Sequence, residues 1–180
     1  LKNEIQAQLN AYKAITNKSE ISLDGHQHIH LIPIILEEIL RLSSVANVSW
    51  IRTTREPLPS GLPIRYWLTA IKDSGHLKWI LLQILSYKAI NRLRKYSIST
   101  NNRFSGVFFT GKMCSAPLIG CWQELSRIKN SDYCTNSILL AHPSAVLDIN
   151  LEQAGFHISY SFARSKWRQK EWQSLNNFDQ

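Results

Sequence analysis

The sequence predicts an α/β protein: an incomplete, TIM-like (β/α) barrel of parallel strands whose N-terminal strands are missing. Three observations carry that expectation. Short apolar runs that suit strands alternate with longer stretches of helical periodicity, the pattern of βαβ units and a parallel sheet. His26, Arg52, Thr110 and His142 all fall at or just past the C-terminal ends of the expected strands, which in a barrel is the face built from the βα loops. A doubly wound sheet would place ligands similarly, but a ring of such residues suits a barrel better. Only four strands can be assigned in 180 residues, whereas a complete barrel takes roughly 250. The remaining strands are therefore expected upstream of Leu1.

The elements follow in order. Leu1, Ile5, Leu9, Tyr12 and Ile15 recur at spacings of three and four, one apolar stripe of a helix expected to be buried. The chain opens on Leu1 without a methionine and already inside that helix, as if entered partway. Ile21 to Asp24 reads as a short strand. Pro33 suits the first turn of a helix whose apolar face is Ile34, Ile35, Ile39, Leu40 and Leu42. Asn47 to Thr53 is a second strand, followed by a proline- and glycine-rich loop from Glu56 to Pro63. Gly75 precedes a long helical pattern from Leu77 to about Tyr96. Gly106 to Phe109 is expected as a strand, Ala116 to Ile128 as a helix, Ser137 to Ala141 as a strand ending in His142-Pro143, and Ala163 to Leu175 as the closing helix.

Composition bounds the function. With 44% hydrophobic and 10% aromatic residues the chain is expected to fold as a single domain, residues 1–180, with a sizeable core. The most apolar run, Trp79 to Leu85, is too short to span a bilayer and lies between Lys78 and Lys88. Cys114, Cys121 and Cys134 lack CxxC spacing, which favours free thiols in a reducing compartment, and the cytoplasm is the expectation. The net charge of +8 raises nucleic acid as a partner. Its cations, however, concentrate in Lys88 to Lys95 and Arg164 to Lys170 at helical spacing with apolar residues, the pattern of a solvated helix face. No nucleic-acid-binding motif accompanies them, so no nucleic-acid partner is expected.

Leu23-Asp24-Gly25-His26-Gln27-His28-Ile29-His30 carries the chemistry. In an extended backbone Asp24, His26, His28 and His30 would all project to one face. Four polar groups there are costly to bury unless something binds them. Imidazole with carboxylate suits a divalent metal, zinc or a harder ion such as magnesium. The simpler alternative for His28 and His30 is hydrogen bonding to loop backbone. For His142 before Pro143 the simpler alternative is a strand end, and for Arg52 a buried ion-pair partner. His76 and His157 lack context and read as surface or structural. Trp50, Trp67, Trp79 and Trp122 read as packing.

The same segment, followed by Pro33, resembles the signature of YdjC-like carbohydrate deacetylases, the chitooligosaccharide deacetylase and hopanoid-biosynthesis-associated group. The resemblance continues along the chain. Glu4 to Leu9 is similar to the helix before the histidine strand, Ile51-Arg52 to the end of the next strand, and Ile98 to Gly106 to the Phe-x-Gly segment. Leu139 to Pro143 is similar to the His-Pro motif, and Arg164 to Leu175 to the terminal helix. Ser22 and Ser137 depart from it, standing where the family often has histidine and glutamate.

The resemblance implies a (β/α) barrel that removes acetyl groups from N-acetylated sugars with a divalent metal, magnesium or zinc. It implies His26 as a metal ligand, Asp24 and His142 as catalytic residues, and Arg52, His28 and His30 as substrate-binding residues. In such a reaction a metal polarises the acetamide carbonyl and acidifies its bound water. A carboxylate takes the proton and His142 protonates the leaving amine. The family's Asp-Asp-Phe-Gly and Gly-x-His motifs, which supply the other ligands and the base, are absent from this sequence. Little or no activity is therefore expected of these 180 residues alone. Two rival readings stand beside this one. An amidohydrolase-type metal hydrolase shares Asp-x-His-x-His on its first strand. A non-catalytic remnant would expose unpaired sheet edges and would fold poorly, form a homodimer, or survive only as a binding module.

Overall fold

Short parallel strands joined by longer helices make up the computed structural model, which describes residues 1–127, 136–144 and 165–178. The elements are α1 (Lys2–Thr16), β1 (Ile21–Leu23), a 3₁₀ turn (His26–Leu31), α2 (Pro33–Ala46), β2 (Val48–Ile51), α3 (Ile64–Lys72), α4 (Gly75–Lys95), β3 (Arg103–Ser105), α5 (Ala116–Ser126), β4 (Ser137–Leu139) and α6 (Lys166–Asn176). Cys134, His157 and the expected start of the closing helix at Ala163 and Arg164 lie outside the described residues. The chain divides into two compact units. The first comprises Leu1–Glu56, Trp79–Phe104 and Ser131–Ile138, and the second Pro57–Lys78, Ser105–Asn130 and Leu139–Gln180.

In the first unit four lines of chain run side by side. β1 pairs with β2 in parallel, Ser22 beside Trp50 and Leu23 beside Ile51, after an irregularity at Ile21. On the other side of β2, Trp50 bridges to Ser99 in parallel, and farther along Phe104 N donates to Arg55 O at 3.2 Å. Asn102 N donates to Asn136 O, which starts the fourth line. The connection from β1 to β2 is α2, the crossover that a parallel pair requires. Pro33 occupies its first turn, Asn47 ends it in the left-handed conformation, and Leu36, Ile39, Leu40, Ser43 and Ala46 form its buried face. Within this unit α4 buries Leu82, Ser86, Ala89 and Leu93 at spacings of four, three and four. The small Ser86 and Ala89, both fully buried, bring that helix close enough for Ser86 Oγ to accept from Thr54 N at 2.9 Å. Leu31, Leu40, Ile51, Leu93 and Phe104 make the driest part of the core, each worth about 1.5–3 kcal/mol of burial.

The second unit is built on Val107, Phe108, Phe109, Met113, Leu118, Cys121 and Leu125. Trp67 of α3 packs edge-on against Phe108 and Phe109, with ring centroids 5.3 and 5.9 Å away. Leu140 N donates to Ser105 O at 2.8 Å, where β3 and β4 end together. Helix α6 docks through Glu171, whose fully buried carboxylate accepts from Met113 N at 2.9 Å and from His142 N at 2.6 Å.

The expected α/β class with parallel strands is present, and no closed barrel forms among the described residues. Three local expectations are corrected. The third strand lies at Arg103–Ser105, not Gly106–Phe109, because Gly106 at φ +125 turns the chain. The following Val-Phe-Phe run is buried in a turn, pinned by Thr110 Oγ1 donating to Val107 O. Helix α3 occupies residues for which no element was expected. The apolar stripe of α1 is not buried throughout, since Leu9 is covered while Leu1 and Ile15 are 60% and 83% exposed, and Ile34 of α2 is likewise exposed. No helix among the described residues is long and apolar enough to cross a membrane.

A Cβ on Gly106 would collide with the Leu140 carbonyl, whereas one on Gly61, also at positive φ, meets nothing within 4 Å. Gly61→Ala should therefore cost only the backbone term, about 1 kcal/mol, and Gly106→Ala about 1–3 kcal/mol more. Urea unfolding of the two variants measures this, and equal losses would show that the Leu140 contact carries no weight.

Candidate active site

The histidine segment does not continue the strand. β1 stops at Leu23, and the chain turns at Gly25, with His28 N donating to Gly25 O at 3.1 Å. Gln27 and His28 take left-handed conformations at φ 51 and 63, a backbone that non-glycine residues rarely adopt and that tends to occur where surroundings over-determine it. The single face expected for Asp24, His26, His28 and His30 is therefore not formed. His28 and His30 are buried, while Asp24 and His26 are exposed.

Arg52, just past the end of β2 and 6% exposed, draws together the exposed Asp24 and the buried His28. Its Nη2 lies 2.5 Å from Asp24 Oδ1 and 3.0 Å from His28 Nδ1. A guanidinium only donates, so His28 Nδ1 accepts and the ring carries its proton on Nε2. Phe104 closes the group from β3, its ring 5.3 Å from the guanidinium carbon and edge-on to His28 at 6.0 Å. Arg52 Nε is buried without a hydrogen-bond partner among the described residues. Burial works against the charge of Arg52, and Asp24 opposes that effect.

His30 is held differently. Its Nδ1 accepts from Gly25 N at 2.9 Å, so Nε2 bears the proton and donates to Arg52 O at 2.8 Å. Both ring nitrogens are thus taken by main-chain groups, the simpler of the two readings of this residue. Burial pushes His30 below the usual imidazole range, with the charge of Arg52 adding to the effect.

His142 belongs to the second unit. Besides its N–H bond to Glu171, its carbonyl accepts from Arg168 Nε at 3.1 Å, so two residues of α6 fix its backbone. Burial lowers its pKa, and the carboxylate of Glu171 opposes the shift.

A family model described as YdjC-like protein matches residues 1–178. The chain belongs to the YdjC-like family. Among curated relatives it is similar to a carbohydrate deacetylase of Mus musculus, 23% identical over 144 residues that cover 79% of this chain and 44% of that protein. It is equally similar to a carbohydrate deacetylase of Homo sapiens, 23% identical over 146 residues covering 79% and 43%. This YdjC-like chain thus spans less than half the length of the curated relatives it matches. No solved structure matches it.

Among the described residues of the YdjC-like chain, no group of three histidines, cysteines or carboxylates could hold a metal ion. The reason lies in the contacts above: His30 is used by backbone, and His28 Nδ1 and the Asp24 carboxylate are engaged by Arg52. The described residues therefore do not compose a complete metal centre. Sequence reading missed Glu171, the anchor of the His142 segment, since a lone glutamate in a basic helix gives no signal. It also missed Asn101, whose Oδ1 accepts from Thr53 N at 2.7 Å and whose Nδ2 donates to Thr53 O at 3.0 Å.

The lowered pKa of His30 has a stability consequence. In the unfolded chain the ring takes a proton near its ordinary pKa of 6.5, while burial in the folded chain holds it neutral to lower pH. The associated stability is present above that pH and is lost as pH falls below it, at up to about 1.4 kcal/mol per pH unit. His142 shifts in the same direction, so wild type should weaken between pH 7.5 and 5.5. His30→Asn should be less stable at pH 7.5 and show a shallower decline, read by urea unfolding at both pH values. An unchanged slope would mean that His30 takes up its proton at the same pH folded and unfolded.

Proposed function

We propose that this chain is the C-terminal portion of a carbohydrate deacetylase that hydrolyses the N-acetyl groups of amino sugars or their oligosaccharides. The observation that carries the reading is the family match along residues 1–178, with relatives named for that activity aligned over 79% of the chain. On this reading the four parallel lines of the first unit are part of an incomplete TIM-like (β/α) barrel. Its support is their arrangement in chain order, the outer edge of β1 that no described strand covers, and the uncovered apolar side chains of α1.

The roles follow from what each group has left to give. His26 is exposed and is the donor offered to a divalent metal, magnesium or zinc, whose other ligands would lie outside the described residues. Arg52 fixes the Asp24 carboxylate and the His28 tautomer at the edge of the site. His30 acts through Arg52, whose carbonyl it holds. His142, neutral because of burial, would take up a proton and pass it to the departing amine.

Acetate release from N-acetylated chitooligosaccharides by the product of the whole open reading frame tests the proposal. The wild type supplied with Mg²⁺ or Zn²⁺ should release acetate, and His26→Ala and His142→Asn should each lower kcat about 100-fold or more. The 180 residues alone should release little or none. A wild type that binds metal yet frees no acetate from any such sugar would end the deacetylase reading.

A further inference from the structure

Helix α6 grips the His142 segment by its main chain. Glu171 Oε2 accepts from His142 N at 2.6 Å, and Arg168 Nε donates to His142 O at 3.1 Å. Arg168 Nη2 donates to Pro143 O at 3.4 Å, and Ser144 N donates to Arg168 O at 3.1 Å. Proline has no N–H, so every main-chain donor and acceptor from His142 N to Ser144 N bonds to one of these two residues. They lie one turn apart on the same helix. The other oxygen of Glu171 is held as well, accepting from Met113 N at 2.9 Å. A backbone tied at each polar group leaves the His142 ring only its own side-chain rotations.

The grip is also a pair of charges. Glu171 is fully buried, where a carboxylate acts with little screening, and Arg168 is half-buried. Burial disfavours the charged form of the His142 imidazole. The Glu171 carboxylate opposes that effect, while Lys78 of α4 and Arg168 of α6 add to it. A main-chain N–H needs no ionised acceptor, since a carbonyl or amide oxygen serves. A charge buried against His142 therefore points to a use beyond capping.

We propose that Glu171 and Arg168 are positioning residues: they fix the His142 main chain and set one negative and one positive charge against it, so that the imidazole is held in place to deliver a proton. The proposal rests on the deacetylase reading, in which His142 protonates the departing amine.

An NMR titration of the imidazoles in the full chain tests it, the His142 signal being the one lost in His142→Asn. Glu171→Gln should move that titration to lower pH by about half a unit or more, and Arg168→Gln should move it to higher pH. Arg168→Lys, which keeps the charge, should leave it near the wild-type position. Loosening of the structure alone would expose the ring to water and move it upward in all three variants. If Glu171→Gln loses its helical circular dichroism, the contrast between Arg168→Gln and Arg168→Lys decides. In the product of the whole open reading frame, Glu171→Gln should lower kcat for acetate release about tenfold or more with little change in KM. A titration that rises or stays put in folded Glu171→Gln, the same shift in both Arg168 variants, or a raised KM with kcat unchanged each overturns the proposal. Opposite shifts in a protein that frees no acetate would uphold the hold on His142 and end the deacetylase reading alone.

Discussion

The first unit is organised around a charge that cannot be removed. A guanidinium does not deprotonate in proteins, and an unpaired buried cation costs several kcal/mol. Arg52 lies at the end of β2 with almost no exposure, so its neighbours must compensate. Asp24 supplies the opposite charge, His28 a lone pair, and Phe104 the face of a ring. The main chain of the same residue is also used, its N–H bonding Leu23 O and its carbonyl accepting from His30. One residue therefore ties β1, the 3₁₀ turn, β2 and β3 together. The left-handed backbone at Gln27 and His28 follows from this. It is the path that lets His28 reach the guanidinium while His30 reaches the carbonyl behind it.

The sheet depends on a second polar device where its backbone pairing is interrupted. β2 bonds to the next line at Ser99, and the two meet again at Arg55 and Phe104. Between those points the Asn101 amide serves as strand partner, accepting from Thr53 N and donating to Thr53 O and to Arg103 O. A buried amide with donor and acceptor both satisfied costs little and fixes register. Thr54 continues the line onto Ser86 of α4. Side-chain amides and hydroxyls thus carry the pairing past the ends of strands only three or four residues long.

Period and punctuation made much of this legible. Pro33 starts α2, and the alternation of short apolar runs with helical stretches gives the α/β class, although Asn47, expected to open the second strand, instead ends α2. What failed was the extrapolation of a strand through Asp24-x-His-x-His. Spacing of two predicts one face only if the backbone stays extended, and here a turn closed by Gly25 and a long-range arginine override it. The Val107-Phe108-Phe109 run failed for a related reason: an apolar triplet is equally content in a buried turn, and Gly106 decides which. The chemistry of the motif was visible in its residue types. The division of its histidines was not, because it is set by Arg52, 22 residues beyond His30 in sequence.

That division bears on which chemistry the chain supports. Cys114 is buried, and burial together with the charge of Glu171 pushes its thiol up, away from the thiolate a nucleophile requires. Cys121 is fully buried. On the proposed deacetylase reading, proton transfer and coordination would therefore fall to imidazole and carboxylate. Of the three clustered histidines, His30 is spent on backbone and His28 has one nitrogen committed to Arg52, so His26 is the one set outward. On that proposed reading, a segment that anchors two histidines and presents the third at an exposed turn would serve as a support for that third ring. The cost of two left-handed residues and a buried cation is intelligible on those terms, since packing alone would have been served by an ordinary apolar strand end.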